Sequence, residues 1–345
     1  GSTGIYRDIK VVDSFSIRSK NLNAISNIFI VFFKCIGKKY HIIHIHGTGP
    51  AILLPLFKLL KAKIVVHYHA EDHRRKKWGW FAKLMLRFGE YSAVKLADAV
   101  LTVSPLIQRK VSAKRNSGVY FIPSGLEIEE REDKSTLKKY NLEKNGYFFV
   151  PARYTEEKNL DIIIKAYREV NTEKKLFICG EISEERYYNY LNGLKELSYN
   201  RNNKFDSDLQ KISPWIYQDI GGKVTLNGPV LNEEFEHLFS SAYAYINSSS
   251  IEGLSQSLLQ AVKLKIPCVL SDIEENRIIF TQVKNEIPFY NAGSFEELKE
   301  KLEFILIKKN HTGVRETLKN INLSEYNWDR SAKKLEEIYS TLLQK

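Results

Sequence analysis

The stretch SSSIEGLSQSLLQAVKLKIP, residues 248–267, sets a carboxylate and a glycine at the mouth of an apolar helical pattern. Gly253, Leu254 and Ser255 open that pattern. A helix start carries unsatisfied backbone N–H groups and the positive end of the helix dipole, which together attract anions. Gly253 lets the backbone come close to a ligand. Glu252 would repel a bare phosphate beside it, yet a carboxylate accepts well from neighbouring hydroxyls. A ligand with hydroxyls next to its phosphates meets both demands, and a sugar diphosphate is such a ligand. The plainer alternative is a capped helix beside a solvated glutamate.

A second segment, VPARYTEEKNLDIIIKA from Val150, carries Arg153 and Lys158 in the loop after a strand-like run. A guanidinium fork and an ammonium there could neutralise a leaving diphosphate. In isolation they would read as solvated surface.

These residues need a frame that brings them to one edge. Runs rich in β-branched and aromatic residues begin at Ile9, Tyr40, Ala62, Asp98 and Gly118, with helical patterns between them. That order is strand–helix–strand, which predicts a parallel sheet covered on both faces. After Gly125 the chain turns charged, as in a linker or an exposed helix. A second alternating series starts at YFFVPARY, with strands at KKLFICG, KVTLNG, AYAYINS and IPCVLS. The pattern predicts an α/β protein of two doubly wound domains, 1–140 and 141–325, with 326–345 as a terminal helix. In such sheets ligands bind beyond the carboxyl ends of the strands. The segments at 153–158 and 252–260 both fall there.

With 345 residues, the chain is long enough for two cores. Its longest apolar runs fall short of the ~20 residues a spanning helix needs, and no signal peptide opens the sequence. Three widely separated cysteines read as free thiols in a reducing compartment, so cytoplasmic is the expectation. The net charge of +11 concentrates in RRKKWGWFAKLMLRF, from Arg74 to Phe88. A basic, aromatic helix can dock on an anionic membrane surface; a core helix with a solvated basic face is the other reading. No recognisable nucleic-acid motif accompanies the charge, so nucleic acid is not an expected partner.

Taken together, these motifs resemble the retaining nucleotide-sugar glycosyltransferases of family 4, which have the GT-B fold of two Rossmann-like domains facing across a cleft. ARYTEEK stands where the family shows Gly-Arg-x-x-x-x-Lys. EGLSQSLLQAV followed by IPCVLSDIEENR stands where it shows a glutamate pair, a proline strand and Ser-Asp. IPSGLE matches the end of the family's first domain, and YNWDRSAKKLEEIYSTLL its last helix, which crosses back to that domain.

The resemblance implies that Arg153 and Lys158 contact the diphosphate and Glu252 the transferred sugar. The amides of Leu254 and Ser255 would meet phosphate, and Gln260 the ribose. It also implies metal-independent transfer with no cofactor, the nucleoside diphosphate sugar being the substrate. In the first half, HIHGTGPA and VVHYHAEDHRRKKWGWFAKLMLRFGE look like a bacterial surface-polysaccharide subgroup containing rhamnosyltransferases. There His69 matches the histidine beside the donor sugar, while Asp72, Arg75 and Trp78 match positions suited to a glycan or lipid-linked acceptor. His44, His46 and His67 read as core or strand-end histidines. Two departures stand out: Gln260 replaces the usual glutamate, and nothing before Ile9 supplies the family's first β-α-β unit, so the first domain is expected to be incomplete. Two alternatives follow from them or from the shared fold: an inactive partner subunit that binds a nucleotide sugar or a catalytic glycosyltransferase, and a nucleotide-sugar 2-epimerase.

Overall fold

In the computed structural model, residues 3–6, 8–12, 14, 23–75, 78–196, 222–283 and 287–344 are described. The chain divides into two compact units. One comprises Gly1–Gly125 with Ser324–Lys345, and the other Leu126–Leu323.

Two short strands, β1 (Thr3–Tyr6) and β2 (Ile9–Val12), pair antiparallel as a separate exposed ribbon. The run at Ile9 was expected to join the parallel sheet and does not. Ile5, Ile9, Val11 and Val12 are all exposed, so these apolar residues of the ribbon do not seat it in a core.

The sheet of the first unit holds β3 (Ile42–His46), β4 (Lys63–Tyr68), β5 (Ala99–Thr102) and β6 (Val119–Phe121), parallel and in chain order. Ile64, Val65, Val66, Val100 and Leu101 are fully buried, as expected for strands covered on both faces. PAILLPLFKLLK does not make one helix. It breaks into the short turns Pro50–Leu53, Leu54–Phe57 and Lys58–Leu60. Pro50 and Pro55 each start a new turn, because proline lacks the N–H that a continuing helix needs. The helix Trp328–Gln344 belongs to this unit. Its Ile338 packs into a cluster with Val65, Ala99, Leu101 and Ile122.

The second unit has six parallel strands in the order β12-β11-β10-β7-β8-β9. These are β7 (Tyr147–Pro151), β8 (Lys175–Cys179), β9 (Val224–Asn227), β10 (Ala244–Asn247), β11 (Cys268–Ser271) and β12 (Phe289–Tyr290). From β7 the chain winds one way to β9, then returns and winds the other way from β10. The topological switch therefore lies between β7 and β10, where crevices for ligands form in such sheets. Phe148, Phe149, Phe177 and Phe239 fill the core beside these strands. Cys179 and Cys268 are free and buried, and burial pushes the Cys179 thiol up to about 12, which keeps it inert.

The border between units falls at Gly125 and Leu126 rather than near residue 140. The helix Lys134–Lys139 is tied to the helix Asn232–Ser240 of the second unit, through Tyr140 to Glu234 at 3.0 Å and Arg131 to Glu236 at 2.7 Å.

Candidate active site

Both loops singled out in the sequence leave adjacent strands at the switch point. The loop after β7 enters a 3₁₀ turn, Glu156–Lys158, and then the helix Leu160–Arg168. Asn159 joins them at φ 45°, a left-handed conformation that asparagine tolerates better than most residues. Its side-chain amide donates to the Ser248 carbonyl at 2.8 Å. The Ser250 amide donates to the Glu157 carbonyl at 2.9 Å, and the Ser248 hydroxyl to the Lys158 carbonyl. These bonds stitch the 153–159 loop to the 248–255 loop.

The stitching brings Lys158 and Glu252 together. Lys158 Nζ lies 2.6 Å from Glu252 Oε1, and both side chains are largely shielded from solvent. Ser249 Oγ donates to the same oxygen at 2.7 Å and accepts from Lys158 Nζ at 3.3 Å. Burial alone would raise the Glu252 carboxyl. The Lys158 charge and hydrogen bonds from Lys158, Ser249 and Asn247 outweigh it, so the group is held below its ordinary range. The result is a shielded carboxylate, clamped in place and ionised at neutral pH.

Under this pair sits a buried polar hub that sequence reading missed. Asn247 ends β10, and its Oδ1 accepts from the Ser249 amide, the Ser271 hydroxyl and Asn276 Nδ2, each at 3.2 Å. The Ser271 hydroxyl also lies 2.7 Å from the Ser249 carbonyl. The hub ties the ends of β10 and β11 to the loop that carries Glu252. Ser-Asp after the proline strand was the available signal, but nothing in the sequence reveals that Asn276 returns to Asn247.

Gly180, at the end of β8, was also missed. A Cβ there would stand 2.0 Å from the Ala152 carbonyl oxygen, so only glycine lets the 152–155 backbone cross this strand end. Arg153 sits on that crossing but does not join Lys158 and Glu252. It is half-exposed, with its guanidinium 3.9 Å from Glu157 Oε1.

The helix begins one residue later than expected. Its span is Gln256–Leu264, and Ser255 is its N-cap, with Oγ accepting from the Leu258 amide at 3.4 Å. The first-turn amides are thus those of Gln256 and Ser257, not those of Leu254 and Ser255. Gly253 and Leu254 precede the cap, half-buried, and Gly253 is not at positive φ. Leu258, Leu259, Ala261 and Val262 bury the core face, leaving Gln260 half-buried more than a turn inside the helix.

In the first unit, four histidines line one face at the carboxyl end of β3 and β4. Alternation along each strand points His44 and His46, and likewise His67 and His69, to the same side. The parallel register sets His46 opposite His67. The His67 and His69 rings stack at 4.4 Å, and His46 Nδ1 lies 3.1 Å from His69 Nε2. Burial lowers all four, and neighbouring histidines lower His44, His67 and His69 further. Beyond His69, a 3₁₀ turn spans Asp72–Arg74, and Arg75 Nε lies 3.1 Å from Asp72 Oδ1. Trp78 is half-buried. Arg74 is paired with Glu71 at 2.8 Å, and two lysines of the basic run, 76 and 77, lie outside the described residues.

Residues 132–323 match the family described as glycosyl transferases group 1, and residues 6–130 match glycosyltransferase family 4. The chain belongs to the group 1 glycosyl transferases. It is a glycosyltransferase, and its two parallel-sheet units form the GT-B fold. Solved structures of other proteins share that fold with this glycosyltransferase. HepE of Anabaena, in complex with UDP and glucose, is 13% identical with a TM-score of 0.71, covering 91% of this chain and 81% of its own. Sucrose-phosphate synthase of Thermosynechococcus elongatus is 15% identical with a TM-score of 0.68, covering 93% and 78%. A glycosyltransferase of Rickettsia africae is 15% identical with a TM-score of 0.66, covering 96% and 84%. No curated protein matches this glycosyltransferase in sequence.

Proposed function

We propose that this glycosyltransferase moves a sugar from a nucleoside diphosphate donor to a lipid-linked glycan acceptor, with retention of configuration, in surface polysaccharide synthesis. The observation that carries the reading is the clamped Lys158–Glu252 pair at the switch point, beside the mouth of the helix Gln256–Leu264. An ammonium has three donors. Lys158 uses one on Glu252 and a longer one on Ser249, so the third can meet a phosphate oxygen. The Glu252 carboxylate retains acceptor capacity for sugar hydroxyls. The amides of Gln256 and Ser257 face the diphosphate, with Arg153 as a half-exposed outer cation and Gln260 on the ribose. HepE, a fold neighbour, is seen with UDP and glucose, which supports a donor of this class.

Transfer then runs on one face of the sugar. The bond from the anomeric carbon to the diphosphate oxygen breaks as the acceptor oxygen bonds that carbon. The acceptor proton passes to the departing phosphate oxygen, so no protein nucleophile is required. Lys158 and the helix-end amides stabilise the charge that develops there. Roles for His69 at the donor sugar and for Asp72, Arg75 and Trp78 at the acceptor rest on the likeness to the surface-polysaccharide subgroup that includes rhamnosyltransferases. No metal bridge or cofactor takes part. The protein is cytoplasmic and peripheral, its acceptor held at the inner face of the membrane; among the described residues no helix is long and apolar enough to cross one.

The test is release of nucleotide from candidate donors in the presence of EDTA, with and without acceptor. Wild-type chain transfers sugar under chelation and Glu252→Ala nearly abolishes it. Nucleotide release without acceptor would indicate the epimerase-type chemistry instead, and donor binding without any release would indicate an inactive partner subunit. An active Glu252→Ala variant overturns the site.

A further inference from the structure

The histidine face of the first unit holds more than a strand-end row. One ring nitrogen from each of His44, His46 and His67 lies within 4.8 Å of the others. On each ring one nitrogen is already engaged. His67 Nε2 lies 3.1 Å from the Ile122 carbonyl, which can only accept, so that nitrogen carries the proton and Nδ1 keeps its lone pair. His44 Nδ1 lies 2.6 Å from the Tyr339 hydroxyl, and its Nε2 is buried with no hydrogen-bond partner. His46 Nδ1 is taken by His69. Each ring is therefore oriented by a second partner on one side and offers a nitrogen on the other. That is the arrangement in which metal-ligating histidines are held.

We propose that His44, His46 and His67 form a site for a zinc-class divalent cation, with the fourth position open to water. Three imidazoles suit zinc and its neighbours, whereas calcium and magnesium prefer oxygen ligands. A tetrahedral ion about 2.0–2.1 Å from each nitrogen needs nitrogen–nitrogen separations of roughly 3.4 Å. The present separations, up to 4.8 Å, mean that the three rings draw together as the ion enters. His46 is exposed, which gives the ion a way in. The ion has no part in holding a diphosphate. An ion on His46 Nε2 requires the proton at Nδ1, where it donates to His69 Nε2, so occupancy fixes the tautomer of the neighbouring ring.

The experiment is a titration of the tag-free, chelator-stripped full chain with Co²⁺, read by the visible d–d bands of the tetrahedral ion, followed by displacement with Zn²⁺. We expect saturation at about one equivalent, with His44→Asn and His67→Asn each weakening binding at least about tenfold. His41→Asn, an exposed histidine outside the triad, leaves it unchanged. Tyr339→Phe keeps all three ligands and tests the orienting bond without disturbing them; it should weaken binding about tenfold. Absence of saturable binding in the wild type, or undiminished binding in His67→Asn, overturns the site. Unchanged affinity in Tyr339→Phe overturns the orienting arrangement on which it rests.

Discussion

Removing Lys158 leaves a shielded carboxylate whose largest influence is burial, opposed by hydrogen bonds from Ser249 and Asn247. In the wild type the Glu252 carboxyl lies below its ordinary value. Its stabilising contribution is thus complete above the unfolded value of about 4.3 and is lost as pH falls through the folded value. Lys158→Ala raises that carboxyl, so the contribution shrinks most where the group should be ionised. The stability gap between wild type and Lys158→Ala, from urea unfolding, should be about 1.5–3 kcal/mol at pH 7 and should narrow as pH falls through the folded value of Glu252. A gap that stays constant down to acid unfolding means that Glu252 does not sense the lysine. Gln260 allows a sharper test of ligand placement. A glutamine pairs with a ribose diol through one acceptor and one donor but lacks charge assistance. Gln260→Glu should keep donor affinity or tighten it by about 1 kcal/mol or less. Calorimetry showing tenfold weaker binding removes residue 260 from the ribose.

At the scale of elements, the alternating runs announced nearly every strand, because β-branched residues buried on both sheet faces leave a dense signature. The Ile9 run carries that signature as well, yet strand composition cannot say which partner a strand will find. Lys158 and Glu252 were legible as candidates, because each sits just past a predicted strand. Their contact was not, since 94 residues separate them and only the switch between β7 and β10 makes them neighbours. The histidine row was legible as alternation within IHIH and VVHYH, but its closure depends on the register of β3 against β4. The helix Trp80–Leu96 bears on a choice that the sequence left open. Trp80, Phe81, Leu84, Phe88 and Tyr91 are all exposed, so this aromatic stripe is not core. With Arg87 also exposed, it suits insertion of apolar rings beneath anionic headgroups. Sedimentation with acidic vesicles should fall when Trp80 and Phe81 are changed to serine, and should fall steeply with salt. Equal sedimentation with neutral vesicles rejects the electrostatic part of the dock.

At the scale of the whole molecule, one unit is continuous in sequence and the other is not. The second unit uses 126–323 without interruption, whereas the first borrows its closing helix from residues beyond the second. That helix is bound into the first unit by specific contacts. Ile338 is buried against Val65, Ala99, Leu101 and Ile122, and the Ser331 hydroxyl donates to the Pro123 carbonyl at 2.8 Å. Gly125 makes room for Trp328, since a Cβ there would stand 2.3 Å from the indole. Ending the chain at residue 323 would uncover that apolar sheet face and remove the hydroxyl that bonds His44. Loss of one buried large aliphatic side chain alone costs about 2–5 kcal/mol, a large part of the stability of an average domain. The truncated chain should therefore unfold in two steps, the first unit at much lower urea than in the full chain and the second near its original midpoint. Because Lys158, Glu252 and the helix Gln256–Leu264 all lie in the second unit, nucleoside diphosphate binding should persist through the first step, while transfer is lost from the outset. A single transition at the wild-type midpoint would mean that the terminal helix contributes no stability to the first unit. Loss of nucleotide binding together with the first step would place part of the nucleotide site outside residues 126–323.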